Sequence, residues 1–301
     1  MASIFVQLAS YHDFELPKTI FDCIEKSSKK HTLTFGVHYC YYDAPQIFIP
    51  KLDNIKVIET KAPENIGVGR ARNVSNSLYN GEDYYLQVDS HTRFLEGWDE
   101  SLINLVLEFQ NGGVKKPLIS VYPGSYSYND TLEETCDYAP RVTYISFKEK
   151  PEQFEQTLIP SQLGIDSEGR KIQSSISGGF IFTLGSFAEL GFNEKIMFVG
   201  EEILIAARAY THGFDFFIPD RQYMYHLYND RNAVFQKNLR RQIWKDYSED
   251  FNVKDKASKQ EVYDIFANNI IGPGALGVER TLKEYGDYAG LDFENRKLLG
   301  D

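Results

Sequence analysis

Cysteine is scarce in this sequence, and its few copies follow no recognisable pattern. Cys23, Cys40 and Cys136 are the three cysteines in 301 residues, and their odd number and wide spacing exclude a secreted-type disulfide framework. No apolar run approaches the length that spans a bilayer. The amino terminus lacks the basic region of a secretory signal, so its short apolar run predicts a first strand. We therefore expect a cytoplasmic protein that does not enter a membrane.

Positive charge is also in short supply. Lysine and arginine number 32 against 43 aspartates and glutamates, which gives a formal net charge of −11. An acidic surface of this size repels phosphate backbones, so nucleic acid is disfavoured as a partner. For the same reason, a diphosphate ligand would need a bound divalent cation to neutralise it.

The order of sequence patterns predicts an α/β fold. Apolar, β-branched or aromatic runs predict strands at Ile4–Ala9, His31–Tyr42, Ile55–Glu59, Tyr84–Val88, Leu118–Tyr122, Gly178–Thr183 and Phe214–Pro219. Intervening segments predict helices at Leu16–Lys29, Gly67–Tyr79, Leu102–Phe109 and Glu201–Thr211. This alternation indicates a Rossmann-like, mostly parallel central sheet flanked by helices. Ligands of such sheets bind beyond the carboxyl ends of the strands, where Ser10 to Asp13 and Asp89 to His91 lie.

The carboxyl-terminal part of the chain differs in composition from the rest. Charged helical segments follow Arg231, which predicts a main domain over residues 1–230 and a helical extension over 231–301 packed on it. The stretch 129–169 is polar and mixed, and we expect it to be a variable loop. The sequence indicates no oligomeric state.

Asp89 and His91 form the first candidate site, because a buried strand delivers them two residues apart. Extended geometry would put both side chains on one side of the chain, where they can share a metal ion. A carboxylate with an imidazole suits Mn²⁺ better than Ca²⁺, which prefers oxygen ligands alone. The structural alternative is an Asp that caps the next turn, with an exposed His beside it.

Three other groups of residues are candidates for the same site as Asp89 and His91. His226 ends a short aromatic strand, where a single His is more often a core residue than a ligand. Glu201 and Glu202 begin a helix, where acids are favoured by the dipole, although either could face a reacting group. Arg70 and Arg72 follow a glycine turn that departs from the GxGxxG pattern. One of them could pair with phosphates or ribose, or both could be solvated.

In chain order, these motifs resemble those of the mucin-type polypeptide GalNAc-transferases. The resembling residues are Gly67 to Arg72, Asp89-Ser90-His91 with Trp98, Ser177 to Phe180, Gly200-Glu201-Glu202 and His226. The sequence is more similar to the cytoplasmic polypeptide α-GlcNAc-transferases that modify hydroxyproline, and to their bacterial and viral relatives. The features shared with that second family are Arg208, Thr211-His212-Gly213, Pro219, Tyr225-His226, Gly274 to Gly277, Glu279 to Leu282 and Tyr285.

The resemblance implies a GT-A type catalytic domain and retaining transfer from a UDP-sugar, most simply UDP-GlcNAc, to a polypeptide hydroxyl. It also implies Mn²⁺, with Mg²⁺ as the alternative, held by Asp89, His91 and His226. The donor contacts it implies are Ser10, Tyr11, Asp13, Arg70, Arg72, Asp89, Ser90, Gly178 and Gly179. Glu201 corresponds to the family's acidic sugar contact. Glu202 stands where GalNAc-type relatives carry an amide, so its role does not transfer directly, and Glu201 and Glu202 are both catalytic candidates.

Other functions share the donor residues and differ elsewhere. A glycan, a small molecule or modified DNA could be the acceptor in place of a polypeptide, although the acidic balance weighs against DNA. An inactive nucleotide-sugar binding module is a further alternative. A sugar-phosphate nucleotidyltransferase would need a basic Gly-rich loop near the amino terminus, and residues 7–13 do not provide one.

Overall fold

The computed structural model describes residues 1–64, 66–129, 131–136, 143–147, 161–165, 173–228 and 241–299, with the backbone alone for 161–165. Asn65 and the proposed boundary at residue 230 lie outside these ranges. The division into residues 1–230 and 231–301 therefore stays a prediction.

Four helices lie close to their predicted positions, and three more lie in the carboxyl-terminal stretch predicted to be helical. Their bounds are α1 Leu16–Glu25, α2 Val68–Asn76, α3 Trp98–Asn111, α4 Glu201–Thr211, α5 Ile243–Asp246, α6 Ser248–Ala267 and α7 Leu282–Ala289, with a 3₁₀ helix at Gly185–Leu190. No helix in the described part of the chain combines the length and apolarity needed to cross a membrane.

The strands include every strand predicted from the sequence and several short additional ones. Their bounds are β1 Ser3–Tyr11, β2 Thr32–Tyr41, β3 Ile55–Lys61, β4 Tyr84–Asp89, β5 Thr92–Phe94, β6 Pro117–Ser120, β7 Gly124–Tyr128, β8 Glu134–Cys136, β9 Thr143–Phe147, β10 Ser161–Ile165, β11 Phe180–Leu184, β12 Asp215–Phe217, β13 Met224–His226, β14 Leu291–Asp292 and β15 Lys297–Leu298. Strands β8, β9 and β10 fall in the stretch predicted as a loop. At three to five residues each, they are too short to show a clear period of two.

The central sheet has seven strands in the order β12-β6-β11-β4-β1-β2-β3. Its neighbours pair in parallel, except that β11 runs antiparallel to both β4 and β6. The predicted α/β class with a mostly parallel central sheet and flanking helices is confirmed. Strand β1 is buried on both faces, with Ile4, Phe5, Val6 and Leu8 fully covered, as expected for a strand inside such a sheet.

A second, four-stranded sheet positions the candidate site. Its order is β5-β13-β7-β8, and β13 pairs antiparallel with β5 so that His226 lies opposite Thr92. Because β5 follows β4 after a short turn, this pairing carries His226 to the carboxyl end of β4. Tertiary pairing therefore joins residues that are more than a hundred positions apart in the sequence.

The carboxyl-terminal helices share a core with the central sheet. Val262, Ile265 and Phe266 of α6 belong to the same apolar cluster as Phe5 of β1 and Tyr85 of β4. The Ser258 hydroxyl also accepts a hydrogen bond from the Met197 backbone N–H at 2.7 Å. Helix α6 is thus packed against the segment that leads into α4.

Candidate functional site

Asp89, His91 and His226 meet at the carboxyl end of β4. Asp89 is the last residue of β4 and pairs in register with Ala9 near the end of β1. One ligand atom from each of the three side chains lies within 4.8 Å of the other two. The sequence-predicted metal residues therefore share one place in the fold.

The geometry of this cluster suits a shared cation. His226 Nε2 lies 2.9 Å from Asp89 Oδ2, and the two imidazole rings have centroids 4.6 Å apart. Both histidines are buried, at 7% and 8% exposure. His226 Nδ1 is buried and has no hydrogen-bond partner among the described residues. One carboxylate with two imidazoles is a donor set for a divalent transition metal.

The electrostatic surroundings keep Asp89 ionised. Burial alone would raise the pKa of this carboxyl group. The hydrogen bond and charge of His226, with the charges of His91 and Arg72, outweigh burial and hold the pKa well below its usual range. The carboxylate is therefore in the form that binds a cation.

Arg72 lies next to Asp89 and contacts several residues around the candidate metal site. It is buried and donates to Gln7 Oε1 at 3.1 Å and to the Gly178 carbonyl at 2.9 Å. It also pairs with Glu201, and its Nη2 lies 3.6 Å from Asp89 Oδ1. The guanidinium thus fixes two acids and one loop carbonyl.

Arg70 takes a different direction from Arg72. Two positions on a helix differ by about 200°, so the two side chains leave α2 on nearly opposite sides. Arg70 Nε lies 3.6 Å from Glu194 Oε2, with about half of each side chain exposed. Arg72 therefore lies beside the candidate metal residues and Arg70 pairs elsewhere.

Glu201 and Glu202 contact different partners at the start of α4. The Glu202 carboxylate accepts from the Gly178 backbone N–H at 2.9 Å and from the Tyr122 hydroxyl. Burial raises the pKa of Glu202 to about 7, although these two hydrogen bonds oppose the rise. Burial also raises the pKa of Glu201, against the charge and hydrogen bond of Arg72.

The glycine pair passes close to these acids. A Cβ on Gly178 would lie 3.1 Å from Glu201 Oε2, and a Cβ on Gly179 would lie 3.2 Å from Asp89 Oδ2. Both approaches are tighter than ordinary contacts, so any side chain here would displace a carboxylate. Gly178 and Gly179, in the loop before β11, therefore form one wall of the site, which we call the glycine wall.

The residues predicted at the end of β1 have separate surroundings. Ser10 Oγ is buried and has no hydrogen-bond partner among the described residues. The Tyr11 hydroxyl donates to Asp246 Oδ2 at 2.8 Å. Asp13 accepts from the Ser90 hydroxyl at 3.0 Å and lies 2.7 Å from His91 Nδ1. Asp13 and Ser90 thus contact the histidine side of the cluster.

Sequence reasoning missed three residues that shape the site. Gln7 and Gln87 lie side by side in the register of β1 and β4, and they contact Arg72 and the Gly178 carbonyl. Tyr122 holds Glu202. The detectable signal is a buried-strand pattern interrupted by glutamine in both β1 and β4, because an unsatisfied amide would be costly in such strands.

An α/β sheet with this cluster at the carboxyl ends of its strands defines an α/β protein with a candidate divalent-cation site. The family model described as Glycosyltransferase (GlcNAc) matches residues 43–295. The chain belongs to this glycosyltransferase family.

Several solved structures resemble the chain at low sequence identity. No curated protein matches its sequence. Similar solved structures include GalNAc-T7 with UDP, GalNAc and Mn²⁺, at 14% identity over 97% of this chain and 56% of that chain, with a TM-score of 0.49. They also include S. aureus TarS, at 15% identity over 86% and 43% with a TM-score of 0.43, and TarS in complex with UDP-GlcNAc, at 14% over 89% and 72% with a TM-score of 0.42. The chain spans about half the length of the first two structures.

Proposed function

We propose that this protein is a GT-A type, retaining glycosyltransferase that transfers GlcNAc from UDP-GlcNAc to an acceptor hydroxyl on a polypeptide. The observation that carries the proposal is the cluster of Asp89, His91 and His226 at the carboxyl end of β4, in a chain that belongs to the GlcNAc glycosyltransferase family. Such a strand end is where α/β proteins bind their ligands.

Asp89, His91 and His226 would hold Mn²⁺, since their one oxygen and two nitrogen donors form a set that binds a divalent transition metal. A bound divalent cation supplies Lewis acidity that stabilises the negative charge developing on departing UDP. Arg72 contributes by orientation, since it is buried and holds Asp89 and Glu201 at once. Preorganised charges of this kind need no rearrangement as the bond breaks.

Glu201 and Glu202, at the start of α4, would have different roles. Glu201 lies beside Gly178, where its carboxylate would accept hydrogen bonds from sugar hydroxyls. Glu202 binds the Gly178 N–H and would keep the glycine wall in place. Ser10, whose hydroxyl is buried without a partner among the described residues, and Tyr11 would contact the nucleotide.

Retention is proposed to occur by attack on the same face as departure. A bond forms between the acceptor oxygen and the anomeric carbon while the bond from that carbon to the phosphate oxygen breaks. The acceptor proton passes to the leaving phosphate oxygen. Glu201 and Glu202 are the alternative groups for a transient covalent link.

Donor use can be tested before the acceptor is known. The protein would be incubated with UDP-GlcNAc, UDP-GalNAc, UDP-glucose and a GDP-sugar, with Mn²⁺, Mg²⁺ or a chelator, and free nucleotide would be measured. We expect UDP release from UDP-GlcNAc with Mn²⁺ and its loss with the chelator. Nucleotide-sugar binding without release, under all conditions and with peptide acceptors added, would indicate the inactive binding module instead.

The acceptor and the stereochemistry need a second measurement. A peptide library containing serine, threonine and hydroxyproline would be compared with glycan acceptors, and the anomeric configuration of the product would be read by NMR. We expect a peptide product with the α configuration of the donor. Transfer to glycans alone, or a β-linked product, would contradict these parts of the proposal and leave donor use intact.

A further inference from the structure

The side chain of Asp13 lies directly behind the metal candidate His91. Its Oδ2 is 2.7 Å from His91 Nδ1 and accepts from the Ser90 hydroxyl at 3.0 Å. Its Oδ1 accepts from the Glu15 backbone N–H at 3.0 Å. Asp13 is 3% exposed, so both oxygens of its carboxylate are engaged within the protein.

This contact decides which nitrogen of His91 carries the proton. An ionised carboxylate can only accept a hydrogen bond, so Nδ1 must be the protonated nitrogen of a neutral His91. The other nitrogen, Nε2, then carries the lone pair that a metal ion would bind. A metal-binding histidine typically donates its second ring N–H to a carboxylate or carbonyl, which fixes the tautomer and the ring orientation.

The turn that carries Asp13 is itself anchored to the strand after His91. The buried Glu15 carboxylate pairs with Arg93 of β5 and accepts from the Tyr128 hydroxyl at 2.9 Å. Arg93 is two residues beyond His91, and Glu15 is two residues beyond Asp13. The Glu15–Arg93 pair therefore connects the two segments that carry Asp13 and His91. The position of Asp13 is therefore set by buried charge pairing.

We infer that Asp13 is a positioning residue that holds His91 in the metal-binding tautomer and orientation, and that it does not contact the nucleotide. This inference rests on the proposed function, because it assigns Asp13 to the metal site proposed there. It replaces the expectation that Asp13 is a donor contact.

The substitution Asp13→Asn tests the inference. An amide has one acceptor oxygen and one N–H donor group, so the variant either loses its Glu15 contact or turns an N–H toward His91 Nδ1 and favours the opposite tautomer. We expect Mn²⁺ affinity, measured by calorimetry with UDP present, to fall about 10- to 100-fold. The affinity for UDP without metal should stay unchanged.

Asp99→Asn is the matched control. Asp99 is a fully buried carboxylate that accepts from the Ser28 backbone N–H and hydroxyl at 2.7 and 2.9 Å, and it belongs to no part of the candidate site. We expect Asp99→Asn to leave Mn²⁺ affinity at the wild-type value, whatever it does to stability. A similar loss in both variants would show a general effect of removing buried charge and would overturn the inference.

The remaining outcomes separate this inference from the proposed function. Wild-type protein that binds no Mn²⁺ with UDP would overturn both. Normal Mn²⁺ affinity in Asp13→Asn, or weakened UDP binding without metal, would overturn the positioning role alone. If the variant does not fold, ¹⁵N NMR of the metal-free wild type at pH 8 decides, because the inference requires His91 to be protonated on Nδ1 and the opposite tautomer refutes it.

Discussion

Each candidate metal residue depends on a neighbour that shapes its chemistry. His226 is held against Asp89 through Nε2, while its Nδ1 is buried without a partner among the described residues. Asp89 stays ionised because cationic and imidazole groups outweigh its burial. Removing one of these side chains should therefore disturb the other members of the cluster.

The substitution His226→Ala should remove most Mn²⁺-stimulated UDP release. Losing a residue that only hydrogen-bonds a metal ligand typically weakens metal binding by about 10- to 100-fold. Losing one of the three ligands themselves should therefore weaken Mn²⁺ binding by about 100-fold or more. The control is His31→Ala, since His31 accepts only a peripheral hydrogen bond from the Ala2 N–H. Turnover unchanged at saturating metal in His226→Ala would discard its role as a ligand.

His38 should make the stability of the protein depend on pH. It is fully buried on β2, and burial lowers its pKa from 6.5 to about 4. Between pH 6.5 and 4, His38 is therefore protonated in the unfolded chain and neutral in the folded chain. The free energy of unfolding that is present above pH 6.5 is lost as pH falls toward 4. The loss at pH 5 should be about 2 kcal/mol.

Urea unfolding at pH 7.5 and pH 5 can measure this effect. The wild type should lose about 2 kcal/mol more between the two pH values than His38→Gln, which has no group titrating there. Equal pH dependence in both proteins would mean that His38 is protonated in the folded state.

At the scale of elements, the start of α4 depends on glycine. Gly200 has φ of 95° and ψ of −6°, a left-handed conformation that costs other residues about 1–2 kcal/mol. This conformation turns the chain so that Glu201 and Glu202 enter the helix facing the glycine wall. Local backbone geometry and the placement of the two acids are therefore coupled.

Gly200→Ala should lower the free energy of unfolding by about 1–2 kcal/mol and also reduce UDP release. Gly290→Ala is the matched control, because Gly290 ends α7 with φ of 73° and a Cβ there would meet nothing within 4 Å. We expect a similar loss of stability from Gly290→Ala with normal UDP release. Equal activity in the two variants would show that the start of α4 tolerates the strain without moving the acids.

At the scale of the whole molecule, the carboxyl-terminal helices and the central sheet share one apolar cluster. Trp98 lies in a different cluster. If the two parts unfold together, a change in α6 must shift the signal from Trp98 as well. The predicted division near residue 230 can therefore be tested by measuring whether the carboxyl-terminal helices and the region around Trp98 unfold in one transition.

Ile265→Ala should destabilise the protein by about 2–5 kcal/mol, because Ile265 is 1% exposed and its loss leaves a cavity. In a Trp244→Phe background, Trp98 fluorescence and far-UV circular dichroism should shift together. Val253→Ala, at a 72% exposed position of α6, should change stability by less than about 0.5 kcal/mol. A separate early transition without a change at Trp98 would show an independently unfolding extension.

The sequence by itself determined the order of the main strands and helices, since short runs rich in apolar, β-branched or aromatic residues, such as Ile4–Ala9 and Tyr84–Val88, favour strands. Its motifs also indicated a glycosyltransferase, which the family model confirms, whereas the hydroxyproline-modifying family stays a prediction. The sequence did not reveal the reversed direction of β11, because a short buried strand has the same pattern in either direction.

Only the tertiary structure decided how side chains from distant parts of the chain come together at the site. His226 reaches Asp89 through the pairing of β13 with β5, and Asp13 reaches His91 across 78 positions. Arg70 and Arg72 looked equivalent in sequence until helix geometry separated them. Local patterns report burial and backbone preference, whereas proximity between distant residues depends on strand pairing and packing, which no local pattern encodes.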